Sequence, residues 1–517
     1  VSKGRSGPSV LFLAGVGLIL VTRLPQFLGG NLVPDGDEAI VGLMAKHMSE
    51  GRGFPLFFYG QRYGLSLFEA GSAAIFFTIF GVSTWGLKAA TLLLWSVGWA
   101  GHVAAAQRWL GRRAAVVCGL LLTFCPAWFA WSMKARGGYV TAFALSGWLL
   151  WRLAGLRSGP SRPASAFVVG AGLALVFFAQ PTWLVGLVFF LPLLDLKVRR
   201  RGEYWGAAAG AGLTAALVLG VSSVQSTGDW RPLLFDSNRI IEGLMLLPGR
   251  LWVHLTGAYY MKVRTPVGRA DDLSGWVWCA LLAWALFAVA WARGSRRRYD
   301  FGQAAALASA AVLGFAAFIS LTWFGHRHLL PLSGFMVLAV AGEMDRLWDK
   351  GPFWRRSLSL GLILVVGLAS VAAWEFRRLS FFSPRLESVR GEERALEGLL
   401  SELEAKGVNH VYSLGPLLQW IITFSSGERV IARWVAPRDR YPAYPAAVDA
   451  ALRDGAPVAL IGEGFQRASV EPLLRRRGQE DAPPRSVANR YFVVHDPPAE
   501  LIRALGFQLN EPTPREN

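Results

Sequence analysis

SLFEAGSAAIFFTIFG, residues 66–81, is apolar, and whether it crosses a membrane decides the topology of the whole chain. Around it, stretches of about 20 mostly apolar residues lie at 10–29, 85–106, 113–131, 139–155, 166–180, 181–196, 204–222, 275–292, 303–323, 329–345 and 357–374. Gln180–Pro181 is the only break between the fifth and the sixth. Basic clusters sit in alternate connections: Lys3 and Arg5; Arg108, Arg112 and Arg113; Arg152, Arg157 and Arg162; Lys197 and Arg199 to Arg201; Arg293 and Arg296 to Arg298; Arg346, Lys350, Arg355 and Arg356. If 66–81 lies on the membrane surface, all of these fall on one side. Short connections this basic belong in the cytoplasm. If 66–81 crossed, most of them would face outward. We therefore read 66–81 as a surface helix and the chain as a polytopic α-helical membrane protein with about eleven spans. The N-terminus is then cytoplasmic, and Val10 to Leu28 is a retained first helix, too long for a signal-peptide core.

The composition agrees. Of 517 residues, 53% are hydrophobic and 17% charged, the latter below the roughly 25% of soluble proteins. This excludes a disordered chain and an ordinary soluble enzyme. The excess of 53 Lys+Arg over 35 Asp+Glu, a net charge of +18, could suggest nucleic acid. Topology accounts for it instead, and no nucleic-acid partner is expected. Twenty-two Trp suit membrane interfaces. Cys118, Cys125 and Cys279 lie in apolar blocks and make no disulfide framework.

Two domains follow. Residues 1–375 form the membrane domain, with large outer loops at 30–84 and 223–274. Residues 376–517 form a soluble outer, periplasmic α/β domain, with strands expected at 408–413, 429–435, 456–462 and 489–495. Helices are expected at 391–406, 415–423, 445–454, 466–477 and 498–506. GEGF at Gly462–Phe465 is too short to be a phosphate loop.

The polar chemistry gathers on the outer side. The first outer loop opens with Asp35, Asp37 and Glu38, at the lip of the bilayer, where a lipid-linked substrate would present its head group. Two neighbouring carboxylates repel, which could raise one pKa towards neutrality. Their plainer reading is a capped helix N-terminus. Arg136 and Arg327 sit at outer ends of spans, where a cation needs an anion or must snorkel to water. Arg binds phosphate bidentately. Lys134 and His328 stand beside them as second choices. Tyr59, Gln61, Arg62 and Tyr63 could meet sugar hydroxyls or a pyrophosphate, or simply fold over the membrane surface. Trp230, Tyr259, Tyr260, Lys262 and Arg264 in the second large outer loop read first as interface anchors. No metal cage is visible. A single divalent ion, Mg or Mn, held by Asp35, Asp37 and a lipid phosphate remains open.

The order of motifs resembles a known family. A first span is followed by DE opening a helix, then EGRGFPLFFYGQRYG at 50–64, then FGVSTWGLKAATLLL at 80–94. This is similar to the integral-membrane glycosyltransferases of the GT-C superfamily, family 39 type, which include protein O-mannosyltransferases and the lipid A aminoarabinose transferase. MKARGGYV at 133–140 sits where members keep a basic residue, and GHRHLLPL at 325–332 is similar to an RY-x-x-P outer turn. SSGERVIARWVAPRDRYPAY at 425–444 resembles the soluble domain of uncharacterised bacterial members. The chain has GLSL at 64–67 where the lipid A enzymes have KPPL, so a lipid A acceptor is not implied.

The resemblance implies a GT-C fold and transfer of a sugar from a polyprenyl phosphate to a glycan, glycolipid or protein outside a bacterial inner membrane. It makes Asp37 the base and Glu38 its support, with Asp35 as a substitute. Arg136, Arg327, Lys134 and His328 would hold the donor phosphate. The rival readings are a lipid or glycan transporter, and an inactive assembly partner acting through the tail. A transporter should carry acids near the bilayer midplane, and here the spans are nearly free of them.

Overall fold

The computed structural model describes residues 8–28, 34–158, 163–194, 201–225, 237–257, 273–294, 299–319, 325–350, 353–373, 386–435, 439–475 and 484–509. Its first part is helical throughout: α1 (Pro8–Leu28), α2 (Gly36–Ser49), α3 (Leu67–Phe80), α4 (Thr84–Trp109), α5 (Arg112–Phe124), α6 (Pro126–Trp131), α7 (Tyr139–Ser158) and α8 (Pro163–Ala179). Then come α9 (Thr182–Leu187), running on as a 3-10 turn to Leu194, α10 (Arg201–Gln225), α11 (Ser237–Thr256), α12 (Leu273–Gly294), α13 (Phe301–Ile319), α14 (Leu330–Lys350) and α15 (Phe353–Ala372). The described parts of the stretches read as spans are helical, although 181–196 is only the short α9 and its 3-10 continuation, and 113–131 is divided into α5 and α6 where Pro126 follows Cys125. Gln180–Pro181 does separate α8 from α9. Helix α11 was not expected. It lies in the segment read as an open outer loop, and its apolar Ile241, Leu244 and Met245 are exposed.

Helices α4 and α7 lie side by side, as do α8 and α10. Small residues make both pairs possible. A Cβ on Gly101 would fall 2.7 Å from the Gly147 carbonyl carbon, and one on Gly210 would fall 2.0 Å from the Phe167 oxygen. The core between the helices is aromatic, with Trp95, Trp128, Phe143 and Trp183 fully buried. Leu13, Leu20 and Val21 on α1 and Leu360, Leu364 and Leu368 on α15 face outward, exposed. By length and composition, Thr84–Trp109 and Arg201–Ser223 are each able to cross a membrane, and seven shorter apolar helices accompany them.

The second part is α16 (Leu386–Ala405), β1 (His410–Ser413), α17 (Leu418–Ser425), β2 (Ile431–Trp434), α18 (Ala443–Arg453), β3 (Val458–Glu463), α19 (Arg467–Arg475), β4 (Arg485–Val487), β5 (Tyr491–His495) and α20 (Ala499–Ala504). The sheet order is β2-β1-β3-β5-β4. Strands β2, β1 and β3 are parallel, β5 is antiparallel to β3, and β4 to β5. Strand β4 was not expected, because three residues, two of them exposed, carry no burial pattern. Helices α16 and α17 cover the face of Val411, Ala459 and Ile461. Helices α18, α19 and α20 cover the face of Tyr412, Leu460 and Phe492.

The two parts are packed together through the first outer loop. Helix α17 lies along α2. A Cβ on Gly36 would meet Leu417 Cβ at 2.7 Å, and one on Gly42 would meet the Phe424 ring at 2.4 Å. At the far end of α2, Glu428 Oε2 accepts from Lys46 Nζ at 2.6 Å and from Arg52, while its Oε1 lies 3.0 Å from His47 Nε2. The Tyr444 hydroxyl donates to the same carboxylate at 2.7 Å.

Candidate active site

The three acids of the first loop have three different fates. Asp35 is the N-cap of α2, and its Oδ1 accepts from the Asp37 and Glu38 backbone N–H groups, both at 3.1 Å. Glu38 Oε2 accepts in return from the Asp35 N–H at 3.1 Å, which completes a capping box. Asp35 also holds two cations: Lys134 Nζ lies 2.9 Å and an Arg136 terminal nitrogen 2.8 Å from Oδ2. Burial alone would raise the Asp35 pKa. The Arg136 and Lys134 charges outweigh it and hold the group far below the usual carboxylate range. The sequence reading allowed a raised pKa in this pair, and for Asp35 the cations reverse it. Glu38 is buried, with Oε1 2.7 Å from Lys88 Nζ.

Asp37 is the one left available. Its only ion pair among the described residues is a long one, 3.5 Å to Arg136, and its side chain is 26% exposed. It stands on the first turn of α2 and takes no part in the capping box that engages Asp35 and Glu38.

Lys134 and Arg136 lie on the short loop between α6 and α7, which is pinned from three sides. Arg23, fully buried on α1, donates to the Ser132 hydroxyl at 3.3 Å, and to the Thr123 and Trp128 carbonyls of α5 and α6 at 2.8 and 3.3 Å. Gln180 Nε2 donates to the Gly137 carbonyl at 3.0 Å. Glu69 Oε1 accepts from the Val140 and Thr141 N–H groups, at 3.0 and 3.2 Å, at the start of α7. Gly138, at φ +85°, passes so close to Leu65 and Ala179 that a side chain there would lie about 3 Å from their backbone atoms. Burial lowers and Asp35 raises the Lys134 and Arg136 pKa values, and the net direction for both is upward, so both stay charged.

The Tyr139 ring joins the second cation to the first group. The Arg327 guanidinium lies 5.9 Å from its centroid. Among the described residues Arg327 makes no ion pair, and its buried Nε has no hydrogen-bond partner. Beside it, the His328 Nδ1 is likewise buried and unmatched. Burial, then the Arg327 and Arg250 charges, push the His328 pKa down to about 3, so the ring is neutral.

Of the expected site residues, Asp35, Asp37, Glu38, Lys134 and Arg136 come into direct contact, and Arg327, His328 and Tyr63 gather around the same point. Tyr59 does not. Its hydroxyl shares a 2.6 Å hydrogen bond with His47 Nδ1, and its ring stacks with Tyr441 at 5.1 Å, so it belongs to the Glu428 cluster. The Gln61 backbone N–H closes the turn onto the Phe58 carbonyl at 3.0 Å, and Arg62 lies in the same turn. Trp230, Tyr259, Tyr260, Lys262 and Arg264 lie outside the described residues. Lys88, Glu69 and Tyr139 were missed, because each sits in an apolar helix and reads as an isolated polar residue.

A divalent ion held by Asp35 and Asp37 does not fit this arrangement. Both Asp35 oxygens already accept from cations, and Oδ1 from two backbone N–H groups as well. Among the described residues no three His, Cys, Asp or Glu side chains cluster as metal ligands.

This combination of an irregular helical bundle and a docked α/β domain is a fold shared with proteins of known structure. The chain is similar over 96% of its length to ArnT from Cupriavidus metallidurans bound to undecaprenyl phosphate, with TM-score 0.64, 15% identity and 99% of that chain covered. The apo state of the same protein gives TM-score 0.61 at 14% identity, covering 94% of this chain and 99% of that one. The Archaeoglobus fulgidus oligosaccharyltransferase in its apo form gives TM-score 0.51 at 12% identity, covering 90% and 70%. No protein-family model and no curated protein matches the sequence.

Proposed function

We propose that this chain transfers a sugar from a polyprenyl-phosphate donor to an acceptor hydroxyl or amine on the outer face of a bacterial inner membrane. The observation that carries it is the division of labour in the first loop. Asp35 and Glu38 are saturated by cap and cations, while Asp37 keeps only a long pair to Arg136, and Arg327 makes no ion pair among the described residues. That a protein of the same fold has been crystallised with undecaprenyl phosphate supports the donor class.

In the reaction, the acceptor's lone pair attacks the anomeric carbon, and the bond from that carbon to the phosphate oxygen breaks. The polyprenyl phosphate leaves with the electron pair, and Asp37 takes the acceptor's proton. Arg327 meets the phosphate as its charge grows, with the neutral His328 ring as a hydrogen-bond donor beside it. Arg136 and Lys134 contribute positive field, already shared with Asp35. The N-terminus and the basic connections face the cytoplasm, and the α/β domain lies outside.

Purified protein in nanodiscs, offered labelled polyprenyl-phosphate sugars, should release polyprenyl phosphate in the presence of an acceptor extract. Asp37→Asn should lower transfer by roughly 10²–10⁴-fold, the range for loss of a general base. A fully active Asp37→Asn enzyme would remove Asp37 from this role.

A further inference from the structure

The α/β domain carries a second feature that the transfer site does not use. Strand β1 leads into α17 on one face of the sheet, and β3 leads into α19 on the other. The two strands are neighbours, so the chain departs in opposite directions at their carboxyl ends. Open parallel sheets bind their ligands in the crevice such a departure creates.

This crevice is marked by its side chains. Between residues 386 and 509, the large apolar side chains classed as exposed among the described residues are Leu417, 48% exposed, and Phe465, 77% exposed. Leu417 closes the loop after β1, and Phe465 stands on the 3-10 turn Gly464–Gln466 directly after β3. The two loops are tied together. Gln466 Nε2 donates to the Leu414 carbonyl at 3.1 Å, and the Leu414 N–H donates to the Ile461 carbonyl at 3.0 Å. Behind the turn, the Gly464 N–H donates to the Arg490 carbonyl at 2.7 Å.

The position is equally specific. Leu417 rests on Gly36, the residue between Asp35 and Asp37. The loop after β1 therefore lies against the turn of α2 that carries Asp37.

We infer that the carboxyl end of the β1–β3 pair is an acceptor subsite, and that the acceptor it takes is a carbohydrate. This rests on the transfer reaction proposed above. Phe465 is flanked in the chain by Glu463, Gln466 and Arg467. A sugar offers an apolar C–H face to such a ring and hydroxyls to the carboxylate, amide and guanidinium around it. A lipid surface would call for a broader apolar patch, free of the carboxylate of Glu463. The subsite holds the glycan so that its reacting hydroxyl reaches Asp37.

The test uses the full chain in nanodiscs, fluorescently labelled, on an array of bacterial envelope oligosaccharides. The wild type should bind a defined glycan. Phe465→Ala should weaken that binding about ten-fold, and Phe465→Tyr and Phe465→Trp should retain it, as loss and rescue of a stacking face require. In the transfer assay, the same Phe465→Ala variant should raise the KM for that glycan and leave the donor KM in place. Glycan binding that Phe465→Ala does not weaken, or no binding to any oligosaccharide by an enzyme that is active in transfer, overturns the subsite. If Phe465→Ala instead lowers retention of the protein in nanodiscs, the ring is a membrane anchor and the subsite is again overturned. Phe465-dependent glycan binding without transfer from any donor would uphold the subsite and sink the transfer reading.

Discussion

At the residue scale, the two aspartates that flank Gly36 are chemically alike and structurally opposite. Asp35 caps a helix and neutralises two cations, with its side chain 15% exposed. Asp35→Ala removes the cap, which is worth about 1 kcal/mol, and strands Lys134 and Arg136, so about 3 kcal/mol of stability should be lost. Asp37→Ala should leave the melting temperature nearly unchanged while transfer is lost. Thermal unfolding of both variants, read beside activity, checks the division, and equal destabilisation would refute it. Glu69 supplies a second residue-scale expectation. Burial raises its pKa from 4.5 to about 7, against the opposing pull of the Thr141, Gly138, Val140 and Arg136 backbone N–H groups. Between those two values the folded protein keeps a proton that the unfolded chain has released. Stability should therefore fall as pH rises from about 4.5 to about 7 and level off above. Glu69→Gln, which holds the same acceptor oxygen without the charge, should lose that component of the pH dependence. Melting curves from pH 5 to pH 8 in nanodiscs read it directly.

At the element scale, the pairing of α2 with α17 makes the α/β domain part of the site's support. Gly42 has no room for a side chain because the Phe424 ring would lie 2.4 Å from its Cβ. Gly42→Leu should push the helices apart at a cost of about 1–3 kcal/mol and displace the Asp37 end of α2, lowering transfer. Gly42→Ala should be rescued in part by Phe424→Ala, which opens the space, and a double-mutant cycle would show that coupling. At the other end of α2, Glu428 gathers Lys46, His47, Arg52 and Tyr444. Burial raises its pKa, and hydrogen bonds from His47, Arg52 and Lys46 outweigh that and hold it well below the usual range. Its contribution is therefore present above the ordinary Glu range and is lost as pH falls through the depressed value. Glu428→Gln should weaken the dock by about 1.5–3 kcal/mol. Hydrogen exchange in α17 would report it, and unchanged protection there would rule out Glu428 as the clasp. The helices themselves were legible, because apolar length and the break at Gln180–Pro181 are local signals, although Pro126 was not read as dividing 113–131. The dock was not, since nothing local relates Gly36 and Gly42 to residues 417 and 424, nearly 400 positions away.

At the scale of the whole molecule, one decision about sixteen residues organises everything else. Helix α3 has the composition of a span, and the structure gives it a partner that a span facing lipid would lack. Ala70, Ala73, Ala74 and Phe77 pack on Ile40, Met44 and Phe424, in the cluster shared by α2 and α17. Ile75, Ile79 and Phe80 remain exposed. An element with one face packed on α2 and α17 and the other apolar and open is of the kind that lies at the boundary of a bilayer. What the sequence conveyed here was a count of Lys and Arg per connection, which is additive and needs no contacts. What it withheld was the site's division of labour, because Lys88, Glu69 and Tyr139 acquire meaning only when α3, α4 and α7 are assembled. The topology makes one decisive expectation. A single cysteine at Ser158, on a basic connection, should react only with reagent admitted to the cytoplasm, whereas one at Ser49, at the end of α2, should react from outside in intact cells. Labelling of both positions from the same side would place α3 across the membrane. It would also carry the Arg108–Arg113 connection outward and put the 132–138 loop with Arg136 on the opposite side of the membrane from Asp37.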